Sequence, residues 1–562
     1  MRPLKPEIIN EALKRHLRLS VRAEEVKKYG ELFVDPNILD VVLNNQKQVV
    51  FGRRGSGKTA LLGTIAENPI FTTPDGLKVL TLMFSGSDLM VSPDIDQNLP
   101  ADKAKAYAYF QNFVTQLAEK LTKSVELVLD THGFMDLFVR LGKSKRGEIE
   151  TKILQVLDYV RQGERFWYPL GSWSEKQQLD VTQTHGHSLG ADATALATGL
   201  GGTVIVRGKL SGGKKSETRK TSTRVVQAEG QMMVRISSIR KRLLEIIDLL
   251  GIDYLLIALD EWMALDATAR TDIQPEFAEL LKRFLFATDK IGVKIGTNWY
   301  QTKFFNPTKC RGLETDADIY IVASLDWSLL DEKDLRSFYE KLIYKRLKLV
   351  QGEVSFFEDP RDTCRPTRAL TDSIFKDEHA FLELVHGAQG LPRNFIMAFN
   401  EASSRIGCNV VRRQMDFVLI RDCIRSKSVT GRMRDIGTET IGEAFLWRYV
   451  KPVIEQSGVE LFLIRKKDMN SLESAIQESV RARLIYEYPE LNLPADVRQN
   501  YKAYVLDYGT FLDWERSIQY ANPSLRDRDL ANNAVVPVIS PGDQLDRYVV
   551  KYKPSSSGSK RT

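Results

Sequence analysis

The stretch "FGRRGSGKTALL", residues 51–62, decides the fold. Val49, Val50 and Phe51 are β-branched or aromatic and read as a short buried strand. Gly52-Arg53-Arg54-Gly55-Ser56-Gly57-Lys58-Thr59 follows with G-x-x-x-x-G-K-T spacing, and Ala60-Leu61-Leu62 then favours helix. Strand, glycine-rich turn and helix in that order make a phosphate-binding loop. Glycine lets the backbone bend tightly and bring N–H groups against phosphate oxygens, and the helix N-terminus adds the positive end of its dipole. Residues 52–60 are the expected nucleotide-binding segment, with Lys58 reaching the β- and γ-phosphates and the Thr59 hydroxyl a ligand for Mg²⁺.

Such a loop needs a second, carboxylate-bearing strand. Tyr254-Leu255-Leu256-Ile257-Ala258-Leu259-Asp260-Glu261-Trp262 supplies one: an apolar run that reads as a buried central strand parallel to the first, ending in two adjacent acids. A buried strand does not end in two carboxylates unless something cationic or aqueous meets them. Asp260 is expected to hold Mg²⁺ in its outer shell and Glu261 to polarise an attacking water, which makes ATP hydrolysis the expected chemistry. Flanking strands are predicted at Leu77–Phe84 and Ile291–Gly296, a helix over Phe277–Ala287, and a fifth strand at Asp318–Ala323. The strand from Ile291 runs into Thr297-Asn298, where a polar side chain could contact the γ-phosphate or the water. The fold class is therefore α/β: an open parallel sheet with helical crossovers and a large insertion, its ligand at the carboxyl ends of the strands.

Composition sets the outer bounds. The chain has 562 residues, 43% hydrophobic and 27% charged, which is an ordinary globular balance with room for several domains. No apolar run reaches the roughly 18 residues of a membrane span, and the start, MRPLKPEIINEALKRH, has no apolar signal core. Cys310, Cys364, Cys408 and Cys423 lack C-x-x-C spacing and read as reduced thiols of a cytoplasmic protein; His185 and His187 have no third ligand nearby in sequence. The net charge of +7 permits an acidic partner without demanding one. The positive charge is clustered, with seven Lys or Arg between Arg207 and Arg224 and seven more between Arg412 and Arg434.

The loop, "LLIALDEW" (255–262), the polar end of "VKIGTN" (293–298) and "GLPRNF" (390–395) together resemble the AAA+ and STAND group of P-loop ATPases, nearest the initiator-like branch that includes the origin-recognition ATPases. "DEWMALDATARTDIQPEFAELLKRFLF" followed by "VKIGTNWYQTKF" also resembles ATPases of bacterial anti-phage defence loci. The resemblance covers roughly residues 30–400, interrupted by the insertion. It implies a homo-oligomer with ATP and Mg²⁺ as ligands, Asn298 or its neighbour as a first sensor and Arg393 as a second sensor opening a helix of a small lid. It also implies that Arg311 completes a neighbouring subunit's site. Arg393 as a helix-capping arginine and Arg311 as an ordinary loop residue are the alternatives.

The remaining chain divides by pattern. Residues 1–47 read as an N-terminal helical segment, 48–330 as the ATPase core with an insertion at about 131–230, and 331–435 as a helical lid. The insertion is rich in Gly, Ser and Thr, and carries Lys214, Lys215, Arg219 and Lys220, which read either as a contact for nucleic acid or as a solvated loop. Residues 436–520 give helix, helix, strand, loop, strand, an order that resembles a winged-helix domain; Asn470 and Glu473 suggest a capping box at the second helix. There Gln477, Arg481 and Arg483 are expected to face outward to duplex DNA, with Arg498 and Lys502 on the wing. Residues 521–562 read as an extension and tail. The expected function is an ATP-fuelled switch that assembles with itself and with nucleic acid, with antiviral defence as the implied process; the alternative is a scaffold ATPase that recruits a separate effector protein without binding DNA.

Overall fold

A computed structural model of the chain describes residues 29–35, 38–67, 69–73, 75–90, 102–130, 147–156, 171–173, 226–228, 236–266, 271–299, 301–325, 332–350, 371–372, 374–407, 414–432, 436, 440–488, 493–521 and 545–552. Strand β1 (Lys47–Phe51) leads through the glycine loop into helix α1 (Lys58–Glu67), then β2 (Ile70–Thr72) and β3 (Lys78–Ser85). Helix α2 (Asp102–Asp130) follows, and a small antiparallel pair, β4 (Gly171–Trp173) with β5 (Val226–Ala228), falls in the predicted insertion. Helix α3 (Ile236–Leu250), β6 (Tyr254–Asp260), α4 (Ile273–Leu281) and β7 (Ile291–Thr297) come next. A two-stranded hairpin, β8 (Phe305–Asn306) and β9 (Arg311–Gly312), precedes β10 (Tyr320–Ser324).

The main sheet has the order β10-β1-β7-β6-β3-β2, parallel throughout except for the β2 edge. The predicted strands are all present, and β6 is flanked by β3 and β7 as the sequence suggests. β7 separates β1 from β6, so its carboxyl end stands between the glycine loop and the Asp260-Glu261 pair. The Gly52 N–H donates to the Thr297 carbonyl at 3.1 Å, which ties that end to the loop.

Side-chain alternation explains the layers. Val50, Leu256 and Ala258 join Leu61 and Leu62 of α1 in one core, while Val49, Phe51, Leu255, Ile257 and Leu259 join α2, α3 and α4 in another. Helices thus cover both faces, as a buried parallel sheet requires. One charge sits inside it: Lys294 of β7 is fully buried and donates to Asn44 Oδ1 at 2.8 Å, the Gln46 carbonyl at 2.9 Å and Gln48 Oε1. Burial holds its ammonium well below the ordinary lysine pKa, and the three acceptors match the three N–H donors of an ammonium.

The middle of the chain is helical: α5 (Glu332–Val350), α6 (Glu378–Ala388), α7 (Pro392–Gly407) and α8 (Phe417–Lys427) share the α1-side core through Phe381, Phe395, Phe399 and Ile420. The C-terminal unit opens with α9 (Ile441–Phe445), a π-turn (Leu446–Val450) and α10 (Lys451–Ser457). It continues with β11 (Leu461–Arg465), α11 (Met469–Arg481), β12 (Ile485–Glu487), α12 (Ala495–Asn500), β13 (Tyr501–Leu506) and α13 (Tyr508–Ala521). Its sheet is antiparallel in the order β11-β13-β12. The sequence pattern misses β11, whose run "LFLIR" is too short for its period to separate strand from helix. The expected capping box is also absent. A 3₁₀ turn (Lys466–Asp468) runs straight into α11, Asn470 lies inside the first turn, and Glu473 accepts from Gln477 Nε2 at 3.0 Å instead.

The helical middle and the C-terminal unit share buried polar contacts. Gln389, in left-handed conformation after α6 (φ 47°), donates from Nε2 to the Leu506 carbonyl at 2.8 Å and accepts from the Tyr508 N–H at 3.0 Å. Tyr508 OH donates to Glu383 at 3.0 Å, and buried Asp507 pairs with Arg432.

Candidate active site

The glycine loop has the backbone its sequence demands. Gly55 (φ 94°) and Gly57 (φ 105°) both take the left-handed region, where a side chain is strained. A Cβ on Gly55 would lie 2.7 Å from the Cβ of Arg393, because the Arg393 N–H donates to the Gly55 carbonyl at 3.3 Å. Two chain segments more than three hundred residues apart in sequence therefore meet at the loop, and the expected second-sensor arginine stands against it. Lys58 opens α1, and its buried ammonium donates to the carbonyls of Gly52 at 2.7 Å and Arg53 at 3.0 Å.

The two carboxylates differ in their surroundings. Asp260 is buried at the end of β6 and bonded to the Thr59 hydroxyl; burial raises its carboxyl pKa, against which the Thr59 bond and the Lys58 charge pull down. That closeness needs Gly296 on β7, where a Cβ would come 2.8 Å from Asp260 Oδ1 and 2.9 Å from Leu62. A desolvated carboxylate beside a hydroxyl is a hard-oxygen donor set, so Thr59 and Asp260 fit Mg²⁺, which would neutralise phosphate charge there.

Glu261 leaves the strand with φ 54°, a conformation costing a non-glycine residue on the order of 1 kcal/mol and retained where surrounding structure enforces it. Its Oε2 accepts from Ser85 Oγ at 3.0 Å and Ser87 Oγ at 3.2 Å, which fixes the carboxylate. Gly86 between them allows the approach, since a Cβ there would lie 2.3 Å from the Glu261 carbonyl oxygen. These serines are missed in the sequence reading. Their only signal is Ser-Gly-Ser directly after a strand, which also describes a common turn.

Asn298 is buried beyond β7, donating to Gln301 Oε1 at 3.0 Å and accepting from the Gln301 N–H at 2.9 Å. Loop residues 53–60, Asp260, Glu261, Asn298 and Arg393 all line one cleft of about 740 Å³. Arg311 does not line it. Its guanidinium is bonded to both Glu276 oxygens at 3.1 Å, on the β9 hairpin.

The C-terminal unit differs most from expectation. Exposed Arg481 and half-buried Gln477 and Arg483, with Met469, Glu473 and Ile476, are among the residues that line the same cleft. Arg53 spans to this unit and to the helical middle: it donates to the Gln389 carbonyl at 2.6 Å and its guanidinium lies 4.8 Å from the Tyr486 ring centre. Lys502, expected on a wing, pairs with Glu487 at 3.4 Å. Lys214, Lys215, Arg219 and Lys220 lie outside the described residues. Among those residues, no helix is long and apolar enough to cross a membrane.

No protein-family model matches the chain, and no curated protein does. Among solved structures, it is similar to that of the Aeropyrum pernix ORC2 protein in its ADPNP–ADP complexes, with 12% identity over 89% of this chain and 97% of that one and a TM-score of 0.29. A likeness of that size carries no argument, and what stands on this chain's own geometry is a mixed α/β protein with a largely parallel sheet and a phosphate-loop cleft at its carboxyl edge.

Proposed function

We propose that this chain is a Mg²⁺-dependent ATP hydrolase of the AAA+/STAND type that acts as a nucleotide-controlled switch, assembling with itself and with nucleic acid. The observation that carries the reading is the convergence of Lys58, the Thr59–Asp260 pair, Glu261, Asn298 and Arg393 around one cleft. Lys58 and the loop N–H groups would bind the phosphates, and Glu261, oriented by Ser85 and Ser87, would draw a proton from water. Asn298, held by Gln301, would position that water, and Arg393 would meet the γ-phosphate from the helical middle, read as a lid. Arg311, braced by Glu276, would serve a neighbouring copy.

The second reading, a scaffold ATPase that recruits an effector protein, gains from the placement of Gln477, Arg481 and Arg483 on the cleft wall, since these were the side chains expected to hold DNA in the winged-helix-like unit. A salt titration separates the two. With ATP and Mg²⁺ at about 50 mM salt, the switch reading expects duplex or single-stranded nucleic acid to bind with a steep dependence of log K on log salt; no affinity better than ~10⁻⁴ M removes nucleic acid and leaves the scaffold. In the same assay Arg481→Ala with Arg483→Ala should lower ATP affinity several-fold and leave the salt slope unchanged. Loss of duplex binding at unchanged ATP affinity would return both arginines to a DNA face.

A further inference from the structure

Helix α5 carries Phe338, Leu342 and Arg346 at successive i, i+4 positions, so all three share one face, and all three line the nucleotide cleft. The two upper positions are apolar, as a helix packed on a core should be. The third is a guanidinium. Its Nε and Nη1 are shut off from solvent and have no hydrogen-bond partner, and among the described residues no carboxylate lies close enough to act on it. Burial alone brings its pKa down to about 10. Arginine heads that lose water are ordinarily paired or reach out to solvent. Two of the three nitrogens of Arg346, Nε and Nη1, do neither.

Its neighbourhood indicates what it could meet. The phosphates of a bound nucleotide belong to the glycine loop, with the terminal phosphate toward Asp260 and Glu261. The cleft lining also includes Tyr29, Phe33, Val34, Phe338, Leu342 and Ile396, the last five of them members of one apolar core, and Arg346 follows Phe338 and Leu342 on the same helix face. Tyr29 lies against Gly63 on the flank of α1, where a Cβ would be 2.7 Å from its ring, and Lys345 ties α5 to the Phe33 carbonyl. An apolar stretch of cleft wall with donor groups beside it suits an aromatic ring bearing acceptor atoms.

We propose that Arg346 is the nucleoside-recognition residue of the cleft, donating to acceptor atoms on the base of the bound nucleotide. The assignment rests on the reading of the cleft as a nucleotide site. It explains why two shielded, unbonded guanidinium nitrogens are kept at a cost to stability: the base supplies the acceptors that the protein does not.

The test compares ATP with inorganic tripolyphosphate, which presents the loop with phosphates and no base, in the full chain with Mg²⁺. Arg346→Met should weaken ATP by about 10- to 100-fold, the scale of a hydrogen bond from a charged group, while tripolyphosphate stays within about twofold. The same variant should unfold at a higher temperature than the parent without ligand, because a partly desolvated guanidinium with two unbonded nitrogens has been replaced by an apolar chain of similar length. Lys58→Ala, by contrast, should weaken both ligands. Arg346→Gln, which keeps a neutral donor, repeats the comparison if the methionine variant does not fold. ATP affinity unchanged in the variant, or an equal loss for ATP and tripolyphosphate, overturns the assignment. A parent chain that binds neither ligand overturns the nucleotide reading itself, and Arg346 falls with it.

Discussion

Lys58→Ala is expected to weaken ATP binding by about 100-fold or more, because it removes the ammonium that stands at the start of α1, inside the turn of the loop. The loop N–H groups and the α1 dipole remain, but they are fixed partial charges. Lys58 is buried at the first position of α1 and bonded to the loop carbonyls of Gly52 and Arg53; its charge also acts on Asp260, which keeps its bond to the Thr59 hydroxyl when Lys58 is removed. The fold should therefore persist, and near-native circular dichroism would separate lost binding from lost structure. Titration with a fluorescent ATP analogue reads the effect. An affinity within about twofold of the parent would contradict the phosphate-loop assignment, whatever the rest of the cleft does.

The other large effect concerns turnover. Glu261→Gln should retain ATP binding while steady-state hydrolysis falls by about 10²-fold or more, the scale of losing a general base. The carboxamide oxygen can still accept from Ser85 and Ser87, and the left-handed backbone at residue 261 is set by β6 and Gly86, so position is kept and basicity lost. In the switch reading the variant should also trap the ATP-bound assembly. Hydrolysis equal to the parent's would reduce Glu261 to a strand-end acid held by two serines.

The parts of this site that can be read in the sequence are those made by adjacent residues. The glycine loop and the Asp260-Glu261 strand end each carry their chemistry within a few positions, so spacing alone exposes them. Their assembly cannot be read that way. Gly296 matters only because β7 lies between β1 and β6, and nothing in "VKIGTN" states the strand order. Arg393 could be named only through resemblance, since its contact with Gly55 joins distant segments. Arg346 looks, in sequence, like a long side chain snorkelling from an apolar helix face. The orientation of α11 escaped for a related reason: its buried stripe, Leu472, Ala475, Ile476 and Ser479, predicts which face is hidden but not what stands opposite the flanking one. Gln477 and Arg481 read equally well as partners for DNA or for a cleft.

The junction at Gln389 bears on how nucleotide comes and goes. With Gln389 bonded to the backbone on both sides of Asp507, and Asp507 itself paired with Arg432, the helical middle and the C-terminal unit have no compliant seam between them. If they swing as a single arm, the movement would have to open the core shared with α1, the Arg393–Gly55 bond and a latch at Arg53, whose side chain grips both Gln389 and Tyr486. An arm of that size moves on the microsecond-to-millisecond scale of hinged domains. Exchange of spent nucleotide would then wait on release of a latch in the phosphate loop itself, so the clock of such a switch would be set by unlatching rather than by bond cleavage.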